Sequence, residues 1–185
     1  MFTRKIIIIP FVIAMFYLLS FFWNDWLSIT MPRHQLIQLP AMLLLGILLA
    51  YCFSTLAIQD MYWGIAILIF IMASFIFWML PHSIDVAVIN KHFNRVMHIN
   101  MLLSGFLLIL VFRKIFFEVK ILFLGMITAM LLASGITLSV FNMLLCSSFS
   151  IEQQKQTGLY LIFIAIALFI FTAITFFSYL RNRSK

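Results

Sequence analysis

Acidic residues are nearly missing from this chain. Its 185 residues hold five Asp and Glu against twelve Lys and Arg, and charged residues of both signs reach only 9%. A soluble domain of this size carries about 25% charged residues, so this composition cannot make a water-facing surface. Cysteine is scarce as well. Cys52 and Cys146 are the only two, with no CxxC and no pair of zinc-binding spacing. The topology read below sets them toward opposite faces, so they do not pair and are read as small packing residues. There is no GxSxG, no HExxH and no carboxylate pair inside an apolar run, which removes the common hydrolase constellations. The middle of each apolar run also lacks charge, whereas a transporter usually shows charges or broken helices there. We expect a protein that is not an enzyme.

What the chain does have is hydrocarbon. It is 65% hydrophobic with 22 phenylalanines and a mean hydropathy of +1.18. The apolar runs approach the ~20 residues that cross a bilayer. Strict alternation of the barrel kind is absent, so the spans are expected to be helices. The fold class read from this is an all-α, polytopic transmembrane helix bundle forming one domain over residues 1–185. Six spans are expected, at about 6–23, 35–58, 61–80, 96–112, 121–146 and 159–179. Arg4 and Lys5 before the first run resemble a signal peptide, but no small-x-small cleavage site follows, so the expectation is an uncleaved span. Tyr62 and Trp63 at one end of the third span and Trp78 at the other form an aromatic belt. In the fifth span Gly125, Ala129 and Ala133 recur every four residues, a spacing expected to mark close helix packing.

Six spans place both termini on one side, together with Arg4, Lys5, Arg113, Lys114, Lys120, Arg181, Arg183 and Lys185. Arg33, Lys91, Arg95 and Lys155 fall on the other. The preference of positive loops for the cytoplasm then makes both termini cytoplasmic. Basic residues at helix ends orient the chain and meet anionic lipid heads. No basic face interleaved with aromatics occurs, so nucleic acid is not expected as a partner.

This topology puts His34, His82, His92 and His98 at the outer face and no histidine at the inner one. Most of them lie in the stretch from Pro81 to Met101, between two apolar runs. Ionisable groups beside hydrocarbon are costly, and a cluster of them at a helix end raises the suspicion of a functional site. Imidazole is a common ligand of copper, zinc and haem iron. His98 and Met101, three apart, share a helix face, and a mixed imidazole–thioether set suits Cu(I). His34, heading the second span, can approach His98 at the head of the fourth. Asp85 and His92 are seven apart and share a face if the segment is one helix, which would let Asp85 orient a liganding imidazole. Gln38 and Asn142 are candidate supporting groups, with interhelical hydrogen bonding as their plainer role. For His82 the plainer role is that of an interfacial residue.

Three segments together resemble the CtaG-like family of cytochrome c oxidase assembly factors. The first is His34-Gln-Leu-Ile-Gln38 with Gly46 downstream. The second is Pro81-His82, Asp85-Val-Ala87, His92, His98 and Gly105. The third is Glu152-Gln153-Gln154 with Gly158. The chain departs from that pattern at Gln38, where the family usually has a second histidine, and in its six expected spans where the family often has seven. The resemblance implies a multi-pass protein of the bacterial cytoplasmic (inner) membrane that delivers copper at the outer face. Its implied partners are haem–copper oxidase subunits or a periplasmic copper carrier. The metal residues it implies are His34, His82, His92 and His98; Met101, from the helix-face reading above, is added as a soft helper. The alternatives are a haem b-binding, electron-transferring or quinol-oxidising subunit with His34 and His98 as axial ligands, and a structural subunit of a larger membrane complex.

Overall fold

The computed structural model describes residues 2–53, 56–58, 60–141 and 144–183, apart from the side chains of residues 2, 3, 4 and 6. The described residues are mostly helical and contain no strand. The α-helices are α1 (Phe2–Tyr17), α2 (Asn24–Ser28), α3 (Leu39–Cys52), α4 (Met61–Met79), α5 (Pro81–Ile89), α6 (Lys91–Phe112), α7 (Phe117–Val140) and α8 (Ile151–Arg183). A π-helical turn, Leu18–Phe22, extends α1, and a second, Arg33–Gln38, leads into α3.

Among the described residues, five helical segments are long and apolar enough to cross a membrane: Arg33–Cys52, Met61–Met79, Lys91–Phe112, Phe117–Val140 and Ile151–Arg183. The first apolar helix is shorter, Ile7–Phe22 by the same measure. Several expected bounds shift. The second span stops at Cys52 rather than 58, and the fifth stops at Val140 rather than 146. The fourth begins at Lys91 rather than 96, and the sixth at Ile151 rather than 159. The last two moves share a cause: helices extend beyond the apolar run to a capping or turn residue, which hydropathy does not register. Asn90 has extended backbone, and its side chain accepts from the N–H groups of His92 (2.9 Å) and Phe93 (3.2 Å). Such a cap satisfies donors that a helix start otherwise leaves bare. Asp60 does the same for α4, accepting from Tyr62 N at 2.8 Å.

Two helix pairs form the frame. α3 and α6 run in the same direction and touch backbone to backbone. A Cβ at Gly46 would collide with the carbonyl oxygen of Leu102, and one at Gly105 with the carbonyl oxygen of Leu43. Only glycine permits this approach, which maximises dispersion contact where no water is left to be expelled. Farther along, Phe53 meets Phe106 edge-on, ring centroids 5.9 Å apart. Arg113 donates to the carbonyls of Ala50 (2.8 Å), Phe53 (2.7 Å) and Leu56 (2.6 Å). Arg113 thus closes the carbonyl end of α3, where helical partners run out.

α7 and α8 form the second pair, antiparallel. A Cβ at Gly135 would sit 2.8 Å from the Gly158 carbonyl oxygen, and one at Gly158 2.7 Å from that of Gly135. At the other end Phe117 stacks on Tyr179 with ring centroids 3.9 Å apart. The expected Gly125–Ala129–Ala133 stripe is therefore not the packing seam. A Cβ at Gly125 would meet nothing within 4 Å, and Ala129 and Ala133 are exposed. Two small-residue faces compete on α7, and only the one meeting Gly158 finds a glycine opposite it.

α4 packs on α6 and completes the first group. Lys5 lies over the Phe53 ring at 5.6 Å, while the Leu19 carbonyl accepts from Gln38 at 2.9 Å. The first helix and its π turn thus run from the Phe53 end of α3 to the His34 end.

Candidate functional site: a buried imidazole pair

Because α3 and α6 are parallel and locked in register by two glycines, the segments that open them lie side by side. His34 is on the π turn before α3, and His98 lies two turns into α6. Both are fully buried.

The surroundings fix how His34 presents itself. Its Nδ1 lies 2.7 Å from Gln38 Oε1. The Gln38 amide nitrogen donates to the Leu19 carbonyl at 2.9 Å and to Asn24 Oδ1 at 3.2 Å. Those two acceptors settle which way the amide points, so its oxygen must accept from the ring. Nδ1 of His34 therefore carries the proton, and Nε2 keeps its lone pair. This is the tautomer of a metal ligand or a proton acceptor, oriented by a neighbouring amide. Asn24 Oδ1 also accepts from Asn94 Nδ2 at 2.6 Å, which ties α2 to α6.

Beyond this network lies a set of unpaired groups. His34 Nε2, both ring nitrogens of His98, Asn94 Oδ1, Ser20 Oγ and Ser104 Oγ are buried without a hydrogen-bond partner among the described residues. An unsatisfied buried polar group costs about 1–3 kcal/mol, so six around one helix pair is unusual for a merely structural core. Three of them are imidazole nitrogens. The fully buried thioethers of Met31, Met42 and Met97 belong to the packed core of this end.

The sequence-derived ligand set divides here. His82 and His92 are exposed and do not join the buried pair. Among the described residues no three His, Cys, Asp or Glu side chains come together to hold a metal ion. The four-histidine cluster is thus corrected to two plus two. The cause is helical phase: His92 and His98 are six apart on α6, about 240° around the axis, so they cannot share a face. Met101 is buried at 4% exposure and lines an apolar cavity beside Gln35 and Trp78.

Asp85 is corrected too. Asn90 breaks the segment into α5 and α6, so Asp85 and His92 lie on different helices. Asp85 instead accepts from Ser147 N (2.7 Å), Ser147 Oγ (3.0 Å) and Ser148 N (2.9 Å). Partial burial alone would raise its carboxyl pKa, but the bonds from Ser148 and Ser147 outweigh it and lower it below the usual value. Next to it, burial and then the Asp85 charge push the Cys146 thiol up to about 12. That thiol is inert at neutral pH.

The buried Gln154 completes this strap. Its oxygen accepts from Leu145 N (3.1 Å) and Cys146 N (3.3 Å), and its nitrogen donates to the carbonyls of Cys146 and Phe149, both at 3.0 Å. The segment between α7 and α8 is held over this end of the bundle by residues from two other stretches. Asn142 lies outside the described residues.

Sequence reasoning missed Asn24, Asn94 and Gln35. A signal for Asn94 was present: Asn90, Asn94, His98 and Met101 recur at three- and four-residue spacing, a polar stripe on an apolar helix. Asn24 has no such pattern, since it sits in a connection whose path only the fold reveals. Compared with known proteins, the chain matches no family model, no curated protein and no solved structure.

Proposed function

We propose that this chain is a copper-handling membrane protein that holds Cu(I) between His34 and His98. The observation that carries the reading is the Gln38-fixed tautomer of His34, whose unprotonated Nε2 is buried without a partner, as are both ring nitrogens of His98. Cu(I) is a soft ion that accepts few ligands of the imidazole and thioether kind. The donor set fits it: two imidazoles within a core that also holds buried methionines. Gln38 would keep His34 oriented, and Asn24 and Asn94 would keep Gln38 in place. His82 and His92, exposed at the same end, would serve at most as an outer relay.

The membrane setting is a bacterial cytoplasmic membrane crossed six times, with Ile7–Phe22 as the additional span. Lys5, Arg113, Lys114, Lys120, Arg181 and Arg183 gather at the end opposite the histidines, which supports cytoplasmic termini and an outward-facing site. Transfer toward a haem–copper oxidase, with its subunits or a periplasmic copper carrier as partners, rests on the CtaG-like resemblance. Of the residues that carry that resemblance, Gly46, Gly105 and Gly158 lock the helix pairs, and Gln154 is the buried amide that holds the strap.

The test is Cu(I) binding by detergent-purified protein in competition with a chromophoric chelator. One equivalent lost in His34→Ala and in His98→Ala, but kept in His82→Ala and His92→Ala, is the expected result. A Soret band in the purified protein, lost in His98→Ala, would replace this reading with the haem b one. Neither copper nor haem in any preparation would leave a structural subunit whose imidazoles serve packing.

A further inference from the structure

The two helix pairs do not close on each other completely. Between them and α4 lies a cavity of about 260 Å³, walled by Leu43, Phe75, Trp78, Met101 and Leu131 among others. Its one polar lining residue is Gln35. This side chain is 6% exposed and has no hydrogen-bond partner among the described residues. An amide without a protein partner gains from acquiring one, and this one borders a space that could supply it.

A groove of about 380 Å³ runs between the start of the Arg33–Cys52 segment and α8, bordered by Arg33 and Tyr160. Leu36 and Ile164 line both groove and cavity, so the two adjoin across these side chains. Arg33 stacks over Trp26, its guanidinium carbon 4.3 Å from the ring centroid, and it has no acidic partner among the described residues. Together, groove and cavity offer a cation, an amide donor and an apolar slot. Gln35 to Leu43 spans eight helical residues, about 12 Å of depth into the bundle. The slot is smaller than the usual 300–1,000 Å³ of a site for a compact drug-sized ligand, and suits a single hydrocarbon chain.

We propose that this groove and cavity bind one phospholipid molecule. Arg33 pairs with the phosphate, the Gln35 amide donates to an acyl ester carbonyl, and one acyl chain fills the slot against Trp78. The inference rests on the membrane placement of the bundle and not on the metal.

The probe is phosphatidylglycerol with brominated acyl chains, titrated into delipidated protein in mild detergent. Trp23, Trp26 and Trp63 are changed to Phe, so that only Trp78 reports by heavy-atom quenching. The expected result is saturable quenching at one lipid per chain, weakened about tenfold by Gln35→Leu and by Arg33→Gln. Leu131→Phe, which fills the slot, should remove the saturable phase. The two polar variants lie on different parts of the site, so misfolding of one leaves the other informative. Quenching that rises linearly with lipid and ignores all three variants would overturn the proposal. So would saturable quenching by a short-chain quinone that the lipid does not displace.

Discussion

Gly46 and Gly105 each face a carbonyl of the other's helix, Gly46 that of Leu102 and Gly105 that of Leu43, with no room for a side-chain carbon. This mutual contact sets the register of α3 against α6, and the register sets how His34 and His98 lie relative to each other. A shift of one residue would turn each imidazole by about 100° around its helix and separate them.

Adding one methyl group at either glycine should therefore act at a distance. Gly105→Ala and Gly46→Ala are each expected to cost about 1–3 kcal/mol through overpacking, read as a lower unfolding temperature in detergent. They should weaken Cu(I) binding as well, although neither glycine touches the imidazoles. Gly125→Ala is the control, since its Cβ meets nothing within 4 Å, and should leave both readings unchanged.

Gln38→Leu removes the acceptor that fixes the His34 tautomer and strands the Leu19 carbonyl. Metal affinity is expected to fall about 10- to 100-fold, the usual effect of losing a group that orients a ligand. Gln38→Glu keeps an acceptor for the ring and should retain more affinity than Gln38→Leu. Equal losses in both would place the role of Gln38 in packing instead.

Asp85 gives the bundle an acid-sensitive strap. Its folded-state pKa is lowered, so its contribution is present above the unfolded carboxyl pKa of about 3.9 and is lost as pH falls through the folded value. Asp85→Asn should therefore flatten the acid limb of a stability profile recorded below about pH 4, and leave the profile above neutrality parallel to that of the wild type.

Cys146 should resist maleimide at pH 8 in a Cys52→Ser background, because its thiol is pushed up to about 12 and is buried. Gln154→Ala removes four hydrogen bonds from the strap and should raise the labelling rate at least tenfold. Rapid labelling of the wild type would mean that the strap is open in solution.

Composition and hydropathy were enough to read apolar helices, because length and apolar content are properties of a segment by itself. Alternating the spans was enough to sort the histidines to one end of the chain's path, since that depends only on how many spans precede each residue. The same segmental reading failed where a helix has two candidate faces. The Gly125 stripe and the Gly135 face of α7 have similar small residues, and only a glycine opposite, Gly158, decides between them. It failed again at Asp85, whose partners Ser147 and Ser148 lie more than sixty residues away in an irregular segment with no period to read. The imidazole site combines both cases. His34 and Gln38 are a local pair, four apart, visible in the sequence as one helical face. Their pairing with His98, Asn24 and Asn94 follows from register and from the closeness of two backbones, and the tertiary structure alone sets those.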